Sequence, residues 1–484
     1  MNPLLDNYQF SVNERIEFEK SASKLIKYVG DLFYEKNVEI VLFRQPLLDQ
    51  KSSEILQAHS HATVMASEPI TIQDTLSIAK SISNSSITNA TIDIGKLSLE
   101  WKREAGVFLE RKNFINSKLI DFKNSNDKNP QPRDVILYGF GRIGRLTARE
   151  LITQEGRGNQ LRLRAIVIRG ELNSVNLEKR ASNLRVDSIH GHFPGTVEVD
   201  HERSKLIING RPIHVISTNS GELINYEIFG INDALLIDNT GILRDKKNLS
   251  KHLLSKGVQK VLLTAPGKDI PNIVYGVNQE NILSGDKIFS AASCTTNAIV
   301  PVLKILNDNY EIKKGHIETI HAYTNDQNLV DNMHSKYRRG RAAAMNMVIT
   351  ETGAGKAVDK AIPGLGKKIT SNAIRVPVAN GSLAILNLQF ADKTTIQEIN
   401  GTLKKAAFAG PLVEQIKYSI SQELVSSDII GDSCCSIFDS QATLLHDDKK
   451  TAILYVWYDN EYGYTKQVMR LAKHVVGVRR KSYF

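Results

Sequence analysis

Cysteine is scarce in this sequence: three occur in 484 residues, and two of them are adjacent. That leaves no disulfide framework and fits a reducing compartment. No run of about 18 apolar residues is present, so a membrane-spanning helix is excluded. The opening stretch MNPLLDNYQFSVNERIEFEK lacks the basic-then-apolar order of a secretion signal, and a cytoplasmic location is expected. With 13 Pro and 31 Gly the chain is neither collagen-like nor of low complexity, and no internal repeat is visible.

The rest of the composition is that of a soluble globular protein, 41% hydrophobic and 24% charged, long enough for at least two packed cores. The net charge is +10. Residues 1–130 hold 16 Lys/Arg and 17 Asp/Glu, a net of −1, which leaves +11 for residues 131–484. A basic excess suits nucleic acid, an anionic membrane or small anionic substrates. Its place in the larger part ties it to whatever that part binds.

Upstream of the polar, Pro-containing stretch NSNDKNPQPRD, which reads as a linker, apolar residues recur at helical spacing. Ile16, Leu25, Ile26, Val29, Leu32 and Phe33 set the pattern, and 97–122 repeats it. His59 and His61 lack Cys or carboxylate neighbours and read as surface histidines; no metal site is expected. Downstream, DVILY, RAIVI, ALLID and VLLT are apolar on both faces, as strands of a helix-covered parallel sheet are. Later strands such as SLAILNLQF alternate, which suggests a sheet with one face on helices. The expected fold is therefore α/β: a helix-covered parallel sheet, then an α+β domain, preceded by a mostly helical N-terminal extension with its linker (1–130).

The first of these strands runs into Gly139-Phe140-Gly141-Arg142-Ile143-Gly144 and then the helical RLTARELI. In this context the glycines point to a dinucleotide. Gly139 allows a tight turn, Gly141 lets backbone approach a pyrophosphate, and Gly144 lets helix and strand pack closely. The second strand ends Ile168-Arg169-Gly170-Glu171. Arg169 suits a 2′-phosphate, whereas Glu171 could restore a ribose contact, so NAD and NADP both stay open.

Cys294 lies in SAASCTTNAIVPVLKIL, where a strand ends and an apolar helical run begins. A helix N-terminus favours thiolate over thiol there. Cys434 and Cys435 lack such a setting and read as structural. His321, in ETIHAYTNDQ, is the candidate base and acid.

Taken together, GFGRIGR, SCTTN, HAYTNDQ, RRGRAA, TETGAGKAV, IRVPVANGS and WYDNEYGY, in that order, resemble the phosphorylating glyceraldehyde-3-phosphate dehydrogenase family over about 131–484. The extension resembles that of a longer bacterial variety. The resemblance implies Cys294 as nucleophile and His321 as base. It implies Ser293, Thr295, Thr352 and Gly353 for inorganic phosphate, and Thr324, Asp326, Arg339 and Arg375 for the phosphate of a small phosphorylated aldehyde. Gly139, Gly141, Arg142, Ile143, Arg169 and Thr240 would bind the dinucleotide, and Asn460 its nicotinamide carboxamide. Arg341 would be structural.

A homo-oligomer, commonly a tetramer, is also implied, as is a division into a Rossmann-type dinucleotide-binding domain (131–293, completed by 460–484) and an α+β catalytic domain (294–459). Gly170 stands where NAD-specific members carry an acid, and Asn332-Met333 replace their Leu-Pro, which favours NADP or dual use. Residues 155–160, EGRGNQ, read as a surface detail. Erythrose 4-phosphate is an alternative substrate. A polyanion- or RNA-binding protein with secondary catalysis is a reading of a different class, but no aromatic-interleaved basic stretch supports it and no nucleic acid is required.

Overall fold

The computed structural model describes residues 3–123, 131–218 and 224–484; most of the stretch read as a linker lies outside them. Two compact units divide the chain. One comprises Met1–Gln131, Gly156–Asn159 and Arg479–Phe484, the other Pro132–Glu155 and Gln160–Val478.

In the larger unit, one sheet runs Ile288–Ser290, Val258–Leu263, Ala234–Asp238, Arg133–Tyr138, Leu161–Ile168, Arg211–Ser217, Lys205–Ile208, Val197–Asp200. Its first six strands are parallel; the last two are antiparallel additions. Successive residues serve opposite cores. Val135 and Leu137 pack with helix residues Leu151, Val468 and Leu471, while Ile136 and Tyr138 pack with Tyr226 and Leu249. This two-sided burial is why the strands read as unbroken apolar runs. Chain order reverses between Arg133–Tyr138 and Ala234–Asp238, which opens a crevice at the carboxyl ends of those strands.

The second sheet runs Val348–Thr350, Ile369–Val376, Ile312–Ala322, Ser382–Phe390, Thr451–Tyr458, Ser436–Asp439, Ile416–Ser419, with mixed pairing. Ser382–Phe390 alternates buried and less buried residues, as its sequence pattern predicts. The α/β class, the two domain types and the helical start of the chain all follow the sequence reading.

In the smaller unit, helices from Pro3–Lys36 to Ile120–Lys123 enclose a core of Leu25, Ile55, Ile78, Ile92 and Phe114. They also cover a four-stranded sheet that the sequence reading did not foresee: Gln45–Pro46, Glu39–Leu42, Ala90–Asp93 and Lys481–Tyr483. Strands of four residues or fewer carry too little alternation to be recognised. Residues 479–484, assigned from sequence to the dinucleotide-binding domain, join this sheet instead, with Ser482 opposite Thr91.

Arg480 fixes that strand through bonds to Asn37 Oδ1 (2.6 and 3.1 Å) and Glu39 Oε2 (3.2 Å). Gly156–Asn159, read as a surface detail, also belongs here: a Cβ on Gly156 would stand 3.1 Å from the Phe33 ring. His59 is not at the surface. It is buried, its Nδ1 bonding Ile55 O and its Nε2 Thr75 Oγ1, both at 2.7 Å. No helix among the described residues is long and apolar enough to cross a membrane.

Candidate active site

Strand Ile288–Ser290 turns through Ala291, Ala292 and Ser293 into helix Cys294–Tyr310. The turn is tight enough to force Ala292 to φ 54, a left-handed conformation that costs a residue with a Cβ about 1 kcal/mol or more. Local bonds hold it. Ala292 N donates to Ser290 Oγ (3.0 Å), Tyr464 Oη donates to Ala292 O (3.0 Å), and Asn297 Nδ2 donates to Ala291 O (2.8 Å) and Ser293 O (2.9 Å). Ser293 caps the helix by accepting from Thr296 N. Pro301, inside the helix, leaves Asn297 O without its usual amide donor. Ser436 Oγ reaches that carbonyl at 3.4 Å and Ala298 O at 2.6 Å.

This places the partly buried Cys294 Sγ 3.5 Å from Nε2 of His321, on the long strand Ile312–Ala322. Ala322 O lies 2.7 Å from His321 Nδ1 and also accepts from Arg375 Nη1 at 2.9 Å. A carbonyl only accepts, so the imidazole proton belongs on Nδ1 and the Nε2 lone pair faces the thiol. The 3.2 Å approach of Arg375 Nη1 to Nδ1 is then a contact between two donors.

Burial pushes the Cys294 thiol above its ordinary value, against the pull of the Arg375 charge and the Thr295 N–H. Burial, helped by Arg375, lowers His321 to about 3. Burial thus works against the thiolate that the helix terminus favours. A lone charge on either group is disfavoured, and each charge would offset the other's burial when the thiol proton passes to Nε2.

Arg375 is also close to Thr324 Oγ1 (3.4 Å); its Nε is buried without a partner, and it forms no ion pair among the described residues. Arg339 donates to Thr350 Oγ1 (2.9 Å) and pairs with Asp326. Its charge, after burial, is the second influence holding Arg375 below the usual guanidinium value. Two guanidiniums near a single carboxylate, which Arg339 alone engages, keep a net positive charge of the kind an anion is drawn to. Thr324, Asp326, Arg339 and Arg375 are thus brought together as the sequence reading grouped them.

Of the other phosphate group, Ser293 and Thr295 flank the thiol, and Thr295 Oγ1 bonds Tyr458 Oη (3.1 Å). Thr352 and Gly353 line a cavity of about 650 Å³ with Lys336, Lys356, Lys360 and Lys367. They make no hydrogen bond to Cys294, Ser293 or Thr295 among the described residues.

At the crevice, Gly139 has φ 93 and abuts Thr240, and a Cβ on Gly144 would stand 2.3 Å from Gly139 O. A Cβ on Gly141 would meet nothing within 4 Å, so backbone there is open to a ligand. Helix Arg142–Glu155 begins beside it, with the free N–H groups of Arg142, Ile143 and Gly144. The Arg142 side chain is engaged with Glu461 and with Asp187 (3.1 Å), and His190 joins the cluster at 2.9 Å from Glu461. This leaves Arg142 its backbone to offer a phosphate.

Asn460 Oδ1 accepts from Ser382 Oγ (2.8 Å), and its Nδ2 has no hydrogen-bond partner among the described residues. Arg169 is exposed, as are Gly170, Glu171, Asn332 and Met333. Cys434 and Cys435 are buried, and burial pushes Cys435 up to about 12.

Sequence reasoning missed Ser382, which accepts from Ala322 N (3.1 Å) while holding Asn460, and Tyr458, whose ring meets His321 edge-on. Tyr458 and Glu461 lie inside WYDNEYGY and Ser382 closes IRVPVANGS, so the motifs held all three, but no local pattern gave them a role.

Comparison with known proteins bears on the same two regions. The family model described as the glyceraldehyde 3-phosphate dehydrogenase NAD binding domain matches residues 133–246, and that of the C-terminal domain matches 293–460. A Pseudomonas aeruginosa protein described as glyceraldehyde-3-phosphate dehydrogenase-like is 45% identical over 464 residues, covering 95% of this chain and 100% of its own. Glyceraldehyde-3-phosphate dehydrogenases of Pseudomonas aeruginosa and of Ogataea parapolymorpha are 39% and 38% identical over 346 residues, 71% of this chain and 98% of theirs. The first relative spans the N-terminal extension too; the other two are shorter matches.

Proposed function

The chain belongs to the glyceraldehyde-3-phosphate dehydrogenase family, and from that premise we propose that it oxidises glyceraldehyde 3-phosphate to 1,3-bisphosphoglycerate, or runs the reverse, through a thioester on Cys294. It is an oxidoreductase with an NAD-binding domain. The observation that carries the reading is the 3.5 Å approach of Cys294 Sγ to the bare Nε2 of His321, beside the cationic pair Arg339 and Arg375.

The thiol proton passes to Nε2 as Sγ bonds the aldehyde carbon, and Nε2 then gives it to the former carbonyl oxygen, which completes a thiohemiacetal and leaves the imidazole neutral again. Arg375 and Arg339 hold the substrate phosphate, with Thr324 beside them, and so fix where the carbonyl sits. His321 accepts the hemiacetal hydroxyl proton as the carbon loses hydride, and a thioester remains. The nicotinamide, when bound, supplies the hydride acceptor.

The residues present fit such a group: open backbone at Gly141, helix N–H groups at the crevice, and the unengaged Asn460 Nδ2 for a carboxamide oxygen. Inorganic phosphate then attacks the thioester, with Ser293, Thr295, Thr352 and Gly353 as its donors, and releases the acyl phosphate. The expected soluble homo-oligomer completes this reading, and its mass in solution tests it.

For the cofactor, we propose that NADP is accepted alongside NAD. Gly170, with φ 83, occupies the end of the second strand where an acid would repel a 2′-phosphate, and Arg169 beside it is exposed and forms no ion pair among the described residues. Initial rates with NAD and NADP, in both directions, test this; a preference for NAD above about a thousandfold refutes it. The same assay with erythrose 4-phosphate, with and without phosphate, tests the substrate. A higher kcat/KM for the tetrose, or turnover independent of phosphate, would overturn the triose assignment.

A further inference from the structure

One buried titratable group has no part in the chemistry above. His252 is 1% exposed, its Nδ1 has no partner among the described residues, and its Nε2 lies 3.1 Å from Asp238 Oδ2. Asp238, the last residue of its strand, is fully buried. Its other oxygen, Oδ1, accepts from Thr240 N (2.8 Å) and Thr240 Oγ1 (2.7 Å). Thr240 stands against the dinucleotide loop: a Cβ on Gly139 would come 2.9 Å from Thr240 Cγ2. The His252 ring also packs edge-on against Tyr138, the residue before Gly139, with centroids 4.7 Å apart. The three side chains thus form a line from the buried side of the sheet to the crevice between strands Arg133–Tyr138 and Ala234–Asp238.

We propose that His252 is a positioning residue for the dinucleotide, acting through Asp238 to fix Thr240 against Gly139. This rests on the reading of Thr240 as a cofactor contact. The physical reasons are three. A buried imidazole whose single polar bond goes to a carboxylate incurs desolvation that an apolar residue of the same volume would avoid, so its retention needs a return. A carboxylate with only the two Thr240 donors on Oδ1 could rotate, whereas a donor on Oδ2 sets the carboxylate plane. That plane decides where the Thr240 hydroxyl and backbone stand, as an outer ligand orients a metal-bound histidine. Because the strand ends at Asp238, Thr240 has no sheet pairing of its own and takes its place from this line.

The test is titration of the full chain with NADH, read by its fluorescence. His252→Phe is expected to raise the dissociation constant of NADH about tenfold. His252→Gln, which keeps an N–H donor near the Nε2 position, should stay within about threefold of the parent. In a Thr240→Val background, His252→Phe should add less than twofold. Alkylation of Cys294 by iodoacetamide should keep its parent rate throughout.

NADH binding unchanged in His252→Phe overturns the proposal. So does an undiminished effect of His252→Phe on top of Thr240→Val, which marks His252 as packing alone. If His252→Phe does not fold, a tenfold loss in the folded His252→Gln overturns it and near-parent binding supports it. A parent chain that binds no dinucleotide sinks the functional reading itself, and this inference with it.

Discussion

Cys294 and His321 are each buried enough that a lone charge on either is disfavoured, so their reactivity belongs to the pair. His321→Asn should therefore slow both turnover and iodoacetamide alkylation of Cys294, by roughly 10²-fold or more for turnover; an unchanged alkylation rate would show the thiol acting without the imidazole. The same burial has a stability consequence. With His321 lowered to about 3 from 6.5, the unfolded chain takes up the proton first. The stability due to its neutral burial is complete above pH 6.5 and drains as pH falls toward 3, roughly 3 kcal/mol of it by pH 4. The unfolding free energy of His321→Asn should decline less steeply over that window than the parent's, as denaturant titration at several pH values would reveal. For Arg339→Leu, KM for glyceraldehyde 3-phosphate should rise about a hundredfold while unphosphorylated glyceraldehyde is turned over as before. A parallel loss on both aldehydes would remove Arg339 from the phosphate site.

At the scale of elements, the site is made by two strand-to-helix turns. One is strained at Ala292 and capped by Ser293; the other is closed by Gly139 and Gly144. In Gly144→Ala a Cβ would press on Gly139 O, and the helix must move off the strand to admit it. Destabilisation of about 1–3 kcal/mol is expected, together with loss of NADH affinity, and calorimetry with NADH titration would measure both. An unaltered melting temperature would mean that the turn relaxes at little cost. Ser293→Ala loses the cap that Thr296 N uses and should cost about 1 kcal/mol.

At the scale of the molecule, the last strand, Lys481–Tyr483, closes the sheet of the N-terminal unit. The Arg480 side chain is 3% exposed, and Arg480→Ala leaves Glu39 and Asn37 without their cation, at a cost of roughly 3 kcal/mol. Thermal melts should show it as a transition moved to lower temperature. A chain beginning near residue 128 keeps a strand with no partner, so it should aggregate more readily than one that also ends at residue 478. Light scattering of the two would decide; equal solubility would show that the strand edge is harmless.

The dehydrogenase portion was legible because its signals are local. Two-sided apolar strands, a glycine turn between strand and helix, and a Cys at a helix start each sit within a few residues of sequence, and seven ordered motifs tied them to one family. The sequence by itself thus determined the fold class and the family, and it singled out Cys294 and His321 as the proposed nucleophile and base. Tertiary structure alone decided what depends on distant partners. Burial raises the Cys294 thiol against the pull of Arg375 and, with Arg375, lowers His321. Hydrogen bonds across 60 and 78 residues make Ser382 a support of His321's strand and of Asn460. His59 is interior because Thr75 comes to meet it. The chain's final residues complete the extension because a strand edge at Ala90–Asp93 stands open to them. No periodicity within one segment encodes such pairings; they exist only once remote pieces of chain share a surface.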